Sequence, residues 1–144
     1  MTAMRISTDR AELDVAMIHR FLSSESYWAR GMPLSVVEAA LAGSLCFGGY
    51  LDSTQIALAR MISDYATFGY LADVFVLPPW RGQGYGTELL AAVFAHPRLQ
   101  GLRRSMLVTS DAQSLYVRFG FTALASPERV MERCSAAPYS VPRS

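Results

Sequence analysis

Val76-Leu77-Pro78-Pro79-Trp80-Arg81-Gly82-Gln83-Gly84-Tyr85-Gly86-Thr87-Glu88-Leu89-Leu90 joins a strand-like segment to a helix-like one through three closely spaced glycines. Upstream, 66–77 carries a strong strand signal that ends in Asp73-Val74-Phe75-Val76-Leu77. Pro78-Pro79 must stop that strand, because neither proline can donate a ladder hydrogen bond. Downstream, 84–95 is rich in Leu and Ala and reads as a helix, and His96-Pro97 ends it. Glycines remove side-chain bulk and let backbone amides approach a ligand. The following helix offers its free N-terminal amides and the positive end of its dipole. Together these make an anion site, to which Arg81 adds a charged donor. A phosphate-binding P-loop would need Gly-Lys-Ser/Thr at a longer spacing, which is absent. A dinucleotide fold would want Gly-x-Gly-x-x-Gly near a first strand, whereas this spacing is Gly82-x-Gly84-x-Gly86 deep in the chain. A connection that merely turns the chain stays open on the loop alone.

Working outward, a short first strand is expected at 5–7. Leu13, Ala16, Met17, Phe21 and Leu22 recur near helical spacing and predict an amphipathic helix over 12–23. A polar and aromatic loop follows at 24–33. Ser35 and Glu38 have the capping-box pattern, with a helix to Ala42 closed by Gly43. Two strands, 44–51 and 55–63, are joined by Asp52-Ser53-Thr54 and suit an antiparallel hairpin. Beyond the glycine loop come a strand at 105–109, a helix over 112–119 capped by Asp111 and closed by Gly120, and late strands at 121–124 and 128–133. This order predicts one α/β domain, a mixed sheet with helices on its faces, and no dividing linker. The core runs over about 4–134, and 135–144, with Pro138 and Pro142, is expected to be a loose tail.

The 144 residues suit one domain with a real core, since half of them are hydrophobic. Thirteen basic and 12 acidic residues leave a net charge of +1, which argues against a nucleic-acid or anionic-membrane binder. No apolar run is long enough to span a membrane, and the N-terminus lacks the apolar core of a signal peptide. Cys46 lies in an apolar run and reads as a small buried hydrophobe. Cys134 has no partner at metal spacing, and neither His19 nor His96 has one, so no metal is assigned. A reduced, cytoplasmic protein is the simplest reading.

The run from Val76 to Leu90 resembles the acetyl-CoA signature of the GNAT N-acetyltransferase superfamily, Gln/Arg-x-x-Gly-x-Gly/Ala after a strand ending near Val-x-Pro. Arg81, Gly84 and Gly86 occupy its fixed positions. Leu115-Tyr116-Val117-Arg118-Phe119-Gly120-Phe121 is similar to a second motif of that family, Leu/Phe-Tyr-x-x-x-Gly-Phe, about thirty residues later. The resemblance implies a mostly antiparallel twisted sheet in which two parallel strands splay apart to hold the cofactor. It implies that the backbone of Val74, Phe75 and Val76 pairs with the pantetheine arm. It places Met106 to Thr109 on the second strand and the pyrophosphate on Arg81, Gly82, Gln83, Gly84, Tyr85, Gly86 and Thr87. Thr109 and Asp111 would flank the arm. Tyr116 would stand near the cofactor sulfur and protonate the departing thiolate; packing with a satisfied hydroxyl is the alternative.

An amine must lose a proton before it attacks a thioester. Asp73 is the only acid on the strand before the loop and is the candidate ammonium binder or base. Pairing with a cation such as Arg60 is the alternative reading. The family often has its base earlier on this strand, where Tyr70 and Gly69 stand here, so ordered water can serve instead. Arg60 and Asp64 are substrate contacts or a structural ion pair. Tyr27 and Trp28 are expected to wall the acceptor site and Glu25 to attract the amine, with plain aromatic packing equally open. The expected activity is acetyl transfer from acetyl-CoA to a primary amine, small or peptidic, by direct attack in a ternary complex. A non-catalytic CoA-binding sensor of the same fold is the runner-up, and a nucleotide-binding module of another class is a third reading. Homodimers, common in that family, are the partner arrangement it allows.

Overall fold

The computed structural model describes residues 3–140. Five strands form one sheet in the order β1 to β5: β1 Arg5–Ser7, β2 Leu45–Leu51, β3 Thr54–Ser63, β4 Phe68–Val76 and β5 Arg104–Leu107. The first four run antiparallel, and β5 runs parallel to β4. The expected hairpin between β2 and β3 is present, turning at Asp52 with a left-handed φ of 55°.

The sheet is covered on both faces. α3 (Tyr85–Ala95) buries Tyr85, Leu89, Leu90 and Val93 against Ala57, Ala59 and Met61 of β3. Each fully buried leucine contributes about 1.5–3 kcal/mol. On the other face, α1 (Val15–Arg20) and α2 (Leu34–Ala42) pack Met17, Ile18, Val37 and Leu41 onto Leu58 and Phe75. Leu71 and Phe75 are four apart on β4, a spacing that would keep them on one face of a regular strand. They join opposite clusters. The cause is a bulge: Arg60 pairs with Ala72 and Leu58 with Phe75, so Asp73 and Val74 together oppose Ala59. Asp73 takes a φ of 51° there.

Several local expectations need correction. The helix predicted over 12–23 is broken. Asp14 accepts from Met17 N at 3.1 Å and starts α1, and the chain then widens into a π turn, Phe21–Glu25. Ser23 and Ser26 donate to the carbonyls of His19 and Leu22, competing with the regular ladder. The Ser35–Glu38 capping box does not form. Pro33 is the N-cap, and its carbonyl accepts from both Val36 and Val37, so Ser35 already lies inside the first turn. Asp111 does not cap α4 (Gln113–Val117). Ala112 is the N-cap and the helix opens without a side-chain cap, while Thr109 Oγ1 accepts from the amide of Ala112 at 3.1 Å and holds the turn that leads into it. No strand forms at 121–124 or 128–133. A 3-10 turn, Pro127–Arg129, occupies the start of the latter. A strand needs a ladder partner, and among the described residues neither segment meets one. Cys46 is buried and Cys134 exposed, both as free thiols. Residues 136–138 and 140 of the expected tail are exposed, and its last four residues lie outside the described ones. No helix among the described residues is long and apolar enough to cross a membrane.

Candidate active site

β4 and β5 pair only from Phe68 with Arg104 to Leu71 with Leu107. β5 then ends while β4 continues to Val76, and the two strands part. Beyond Leu71 the outer edge of β4 has no strand partner among the described residues. Two cavities flank this opening. One, of about 410 Å³, is lined by Val74, Phe75 and Val76 together with Arg81, Gly86 and Leu115. The other, of about 470 Å³, is lined by Arg60, Tyr70, Asp73, Met32 and Thr109. Tyr27, Trp28, Val74, Asp111, Ala112 and Tyr116 line both and form the waist between them.

The glycine loop closes the first cavity. Gly82 and Gly84 hold φ values of 79° and 86°, a left-handed region that other residues enter at a cost. A methyl group at either position would meet nothing within 4 Å, so backbone direction, rather than crowding, is what calls for glycine. Gly86 lines the cavity from the first turn of α3, which opens without a side-chain cap. Arg81 Nε donates to the carbonyl of Val76 at 2.8 Å, tying the loop to the end of β4. Left-handed glycines, an uncapped helix start and an arginine suit a bound pyrophosphate. Gln83 is exposed, Thr87 is half-buried, and the Tyr85 ring turns into the core beneath α3.

The second cavity is held by long-range contacts. Asp73 is buried, with one carboxylate oxygen accepting from Trp28 Nε1 at 2.7 Å and the other from Arg60 Nε at 2.8 Å. Arg60 also donates to Ser44 Oγ at 2.9 Å. The Arg60 pairing weighed from sequence is therefore present, and the indole contact is a partner the sequence reading missed. Tyr27 packs edge-on to Trp28, with ring centroids 5.0 Å apart, and its hydroxyl accepts from Ser110 N at 3.2 Å. That bond clasps the loop after α1 to the loop after β5, and hydrogen bonding from Ser110 holds the phenol below its usual value. Asp64 lies apart from this group. It accepts from Thr67, Ala66 and Phe68 and organises the β3–β4 turn, which lowers its pKa and leaves it no ion pair with Arg60. Glu25 is exposed on the glycine-loop side and does not line the cavity that Tyr70 and Arg60 share.

Tyr116 is 8% exposed at the waist. Burial, with the nearby Tyr27 and Asp111 adding to it, pushes its phenol up to about 12. It keeps its proton through the neutral range.

Residues 15–121 match the model of the Acetyltransferase (GNAT) family. The chain belongs to this family. A solved GNAT-family protein from Xanthomonas campestris is 54% identical, with 98% of this chain and 99% of that one covered at a TM-score of 0.93. FG08082 of Gibberella zeae, assigned to the acetyltransferases, is 38% identical over 133 residues, 77% of this chain and 74% of its own length. A GNAT acetyltransferase of Brucella melitensis, solved in complex with acetyl-CoA, shares the fold at a TM-score of 0.67, with 21% identity and 85% of each chain covered. The single domain and mixed sheet expected from the sequence are those of this acetyltransferase family.

Proposed function

We propose that this acetyltransferase moves the acetyl group of acetyl-CoA to a primary amine within a ternary complex. The observation that carries the reading is the meeting of two cavities at Tyr116, one bordered by the glycine loop and the other by Asp73, Arg60 and Trp28. A donor and an acceptor can thus approach from opposite sides of one tyrosine. The acetyl-CoA held by the Brucella relative supports the choice of donor.

In this reading, Arg81 and the amides of Gly82, Gln83, Gly84, Tyr85, Gly86 and Thr87 hold the pyrophosphate. The backbone of Val74, Phe75 and Val76 pairs with the pantetheine arm, and Thr109 and Asp111 flank it. Acetyl-CoA supplies a thioester whose carbonyl carbon bonds to the amine nitrogen as the carbon–sulfur bond breaks. Tyr116 Oη gives its proton to the leaving sulfur, which its raised pKa permits at neutral pH. Tyr27 and Trp28 wall the acceptor. Both oxygens of Asp73 are engaged, so it acts as a positioning residue for Trp28 and Arg60. The proton lost by the ammonium passes to water.

That same engagement of Asp73 favours a second reading, a CoA-binding sensor without catalysis. Free-thiol release from acetyl-CoA, measured over a panel of amines beside direct CoA binding, separates the two. Transfer predicts one thiol and one acetylated amine per turnover. Tight CoA binding with no thiol release across the panel would leave the sensor.

A further inference from the structure

A cavity of about 420 Å³ opens at the end of the sheet where β2 and β4 begin, away from the glycine loop. Thr8, Arg10, Ser44, Tyr65, His96 and Arg98 line it, and no carboxylate does. Arg10 and Arg98 lie outside the two ion pairs found among the described residues, Arg5–Glu12 and Arg60–Asp73. The neighbouring acids are turned to their own loops. Asp9, beside Arg10, accepts from the Ala11 amide, and Asp64, beside Tyr65, accepts from the amides of Ala66, Thr67 and Phe68. Arg98 is held in place, its guanidinium carbon 3.6 Å from the centroid of the Tyr65 ring. Tyr65 takes a φ of 61° there, a left-handed value that a bulky residue adopts at a cost. His96 Nδ1 accepts from the Arg98 amide at 3.1 Å, so the proton of the neutral ring sits on Nε2 and leaves a donor there. The helices that end beside the cavity, α2 and α3, carry only about half a negative charge each at their C-termini. Carbonyls there are already bound, Ala40 O by Ser44 Oγ, and Phe94 O and His96 O by Gln100 Nε2. Two full guanidinium charges therefore set the sign of the cavity.

We propose that this cavity binds the phosphate group of a small phosphate monoester, and that Ser44 carries the effect of binding to the Arg60–Asp73 pair. Arg10, His96 and Arg98 bring donors from two separate segments of the chain. A tetrahedral phosphate dianion has three oxygens to meet them and two charges to match two guanidiniums, whereas a planar carboxylate has two oxygens and one charge. The volume falls within the range of small-ligand pockets, roughly 300–1,000 Å³, and leaves room for the rest of an ester. Ser44 joins this cavity to the Asp73 cluster. It lines the cavity, and its Oγ accepts from Arg60 Nη1 at 2.9 Å. Arg60 Nε holds Asp73, and Asp73 holds Trp28 Nε1. Cys46, also on the cavity wall, is the register partner of Arg60. A negative charge in the cavity competes with Asp73 for the largely buried Arg60 guanidinium, and the Trp28 indole senses the change. Neither step depends on the acceptor or on acetyl transfer.

Titration of the ¹⁵N-labelled, CoA-saturated full chain with inorganic phosphate, followed by NMR at an ionic strength held with chloride, tests both steps. The amides of Ser44, Cys46, His96 and Arg98 should shift together with one Kd of about 1 mM or tighter. The Trp28 indole N–H should shift with the same midpoint. Glycerol 3-phosphate should bind at least as tightly as inorganic phosphate, and succinate about tenfold more weakly. Arg10→Gln and Arg98→Gln should each weaken phosphate binding by about tenfold or more. Both side chains belong to exposed residues, so both variants should give the spectrum of a folded chain in chloride. Shifts that never saturate, shifts confined to the glycine loop, or unchanged affinity in a folded Arg10→Gln, Arg98→Gln double variant would overturn the site. Succinate binding as tightly as phosphate, or glycerol 3-phosphate binding more weakly than inorganic phosphate, would overturn the ligand class. A Trp28 indole that stays still while the cavity fills would overturn the link to Arg60.

Discussion

The two cavities that meet at Tyr116 are built by opposite means. The glycine-loop side is made from consecutive residues, Arg81 to Gly86, whose backbone angles and helix start are local properties. The acceptor side is made from residues far apart in the chain. Trp28 reaches Asp73 across 45 positions, Arg60 reaches Asp73 across 13 and Ser44 across 16, and Tyr27 reaches Ser110 across 83. A local site can be changed with little effect on the rest of the fold. A site held by a buried ion pair cannot, because its charges have left water and depend on each other.

The largest effect is therefore expected at Asp73. Asn tolerates the left-handed backbone there and keeps an acceptor, so Asp73→Asn isolates the charge. It leaves the buried Arg60 guanidinium uncompensated, which costs about 3–5 kcal/mol. A fall in Tm of roughly 10 °C is expected. Trp28 fluorescence should shift and the acceptor KM should rise, while the Kd for acetyl-CoA stays within about twofold. A sharp loss of turnover with Tm, Trp28 emission and acceptor KM unmoved would instead make Asp73 a base and undo the contrast between the two sides.

Tyr116→Phe comes next and probes the waist. Loss of a general acid lowers turnover by about 100-fold or more. Donor binding should be little changed, because the ring remains. The pH profile gives a second reading. Turnover should rise as the amine loses its proton and should stay high through pH 10. A Tyr116 pKa raised to about 12 keeps the donated proton in place over that range, and the proton is lost only as pH climbs through that value. A decline beginning near neutrality would point to a different acid.

The same contrast explains what could be read from sequence. The glycine loop and the Leu115-Tyr116 motif are each contiguous, and the β2–β3 hairpin is a neighbouring pair, so spacing and turn chemistry found them. The Trp28–Asp73 bond was out of reach because it depends on a bulge. One extra residue in β4 reverses the faces that follow and turns Asp73 toward the loop after α1. The Asp111 cap failed for a similar reason. Thr109, two residues earlier, has an equally suitable oxygen, and the splayed end of β5 puts it in reach of the Ala112 amide. Glu25 lies in the π turn and lines the glycine-loop cavity together with Tyr27 and Trp28, a placement set by that local widening of the helix. The strand propensity of 121–124 and 128–133 concerns the segments alone, and propensity does not supply a ladder partner.

The smallest effect is expected on the local side, at Gly84. Its φ of 86° is unfavourable for any residue with a Cβ, and Gly84→Ala costs about 1–2 kcal/mol if the loop keeps its shape. Nothing lies within 4 Å of the added methyl, so the cost is conformational and the core should stay intact. If the loop relaxes to avoid the strain, the amides at the start of α3 turn away from the anion. Acetyl-CoA affinity then falls by about tenfold, the equivalent of roughly 1.4 kcal/mol. The loss should appear in the donor Kd and in the donor KM at fixed acceptor, with the acceptor KM and Trp28 emission unchanged. Titration calorimetry with CoA and with pantetheine, which lacks the pyrophosphate, sharpens the outcome. If the loop acts through its amides on phosphate, the substitution should cost affinity for CoA and little for an analogue lacking the pyrophosphate. Equal losses for both ligands would mean that Gly84 shapes the whole donor cavity, and the glycine-loop side would then be no more local than the acceptor side.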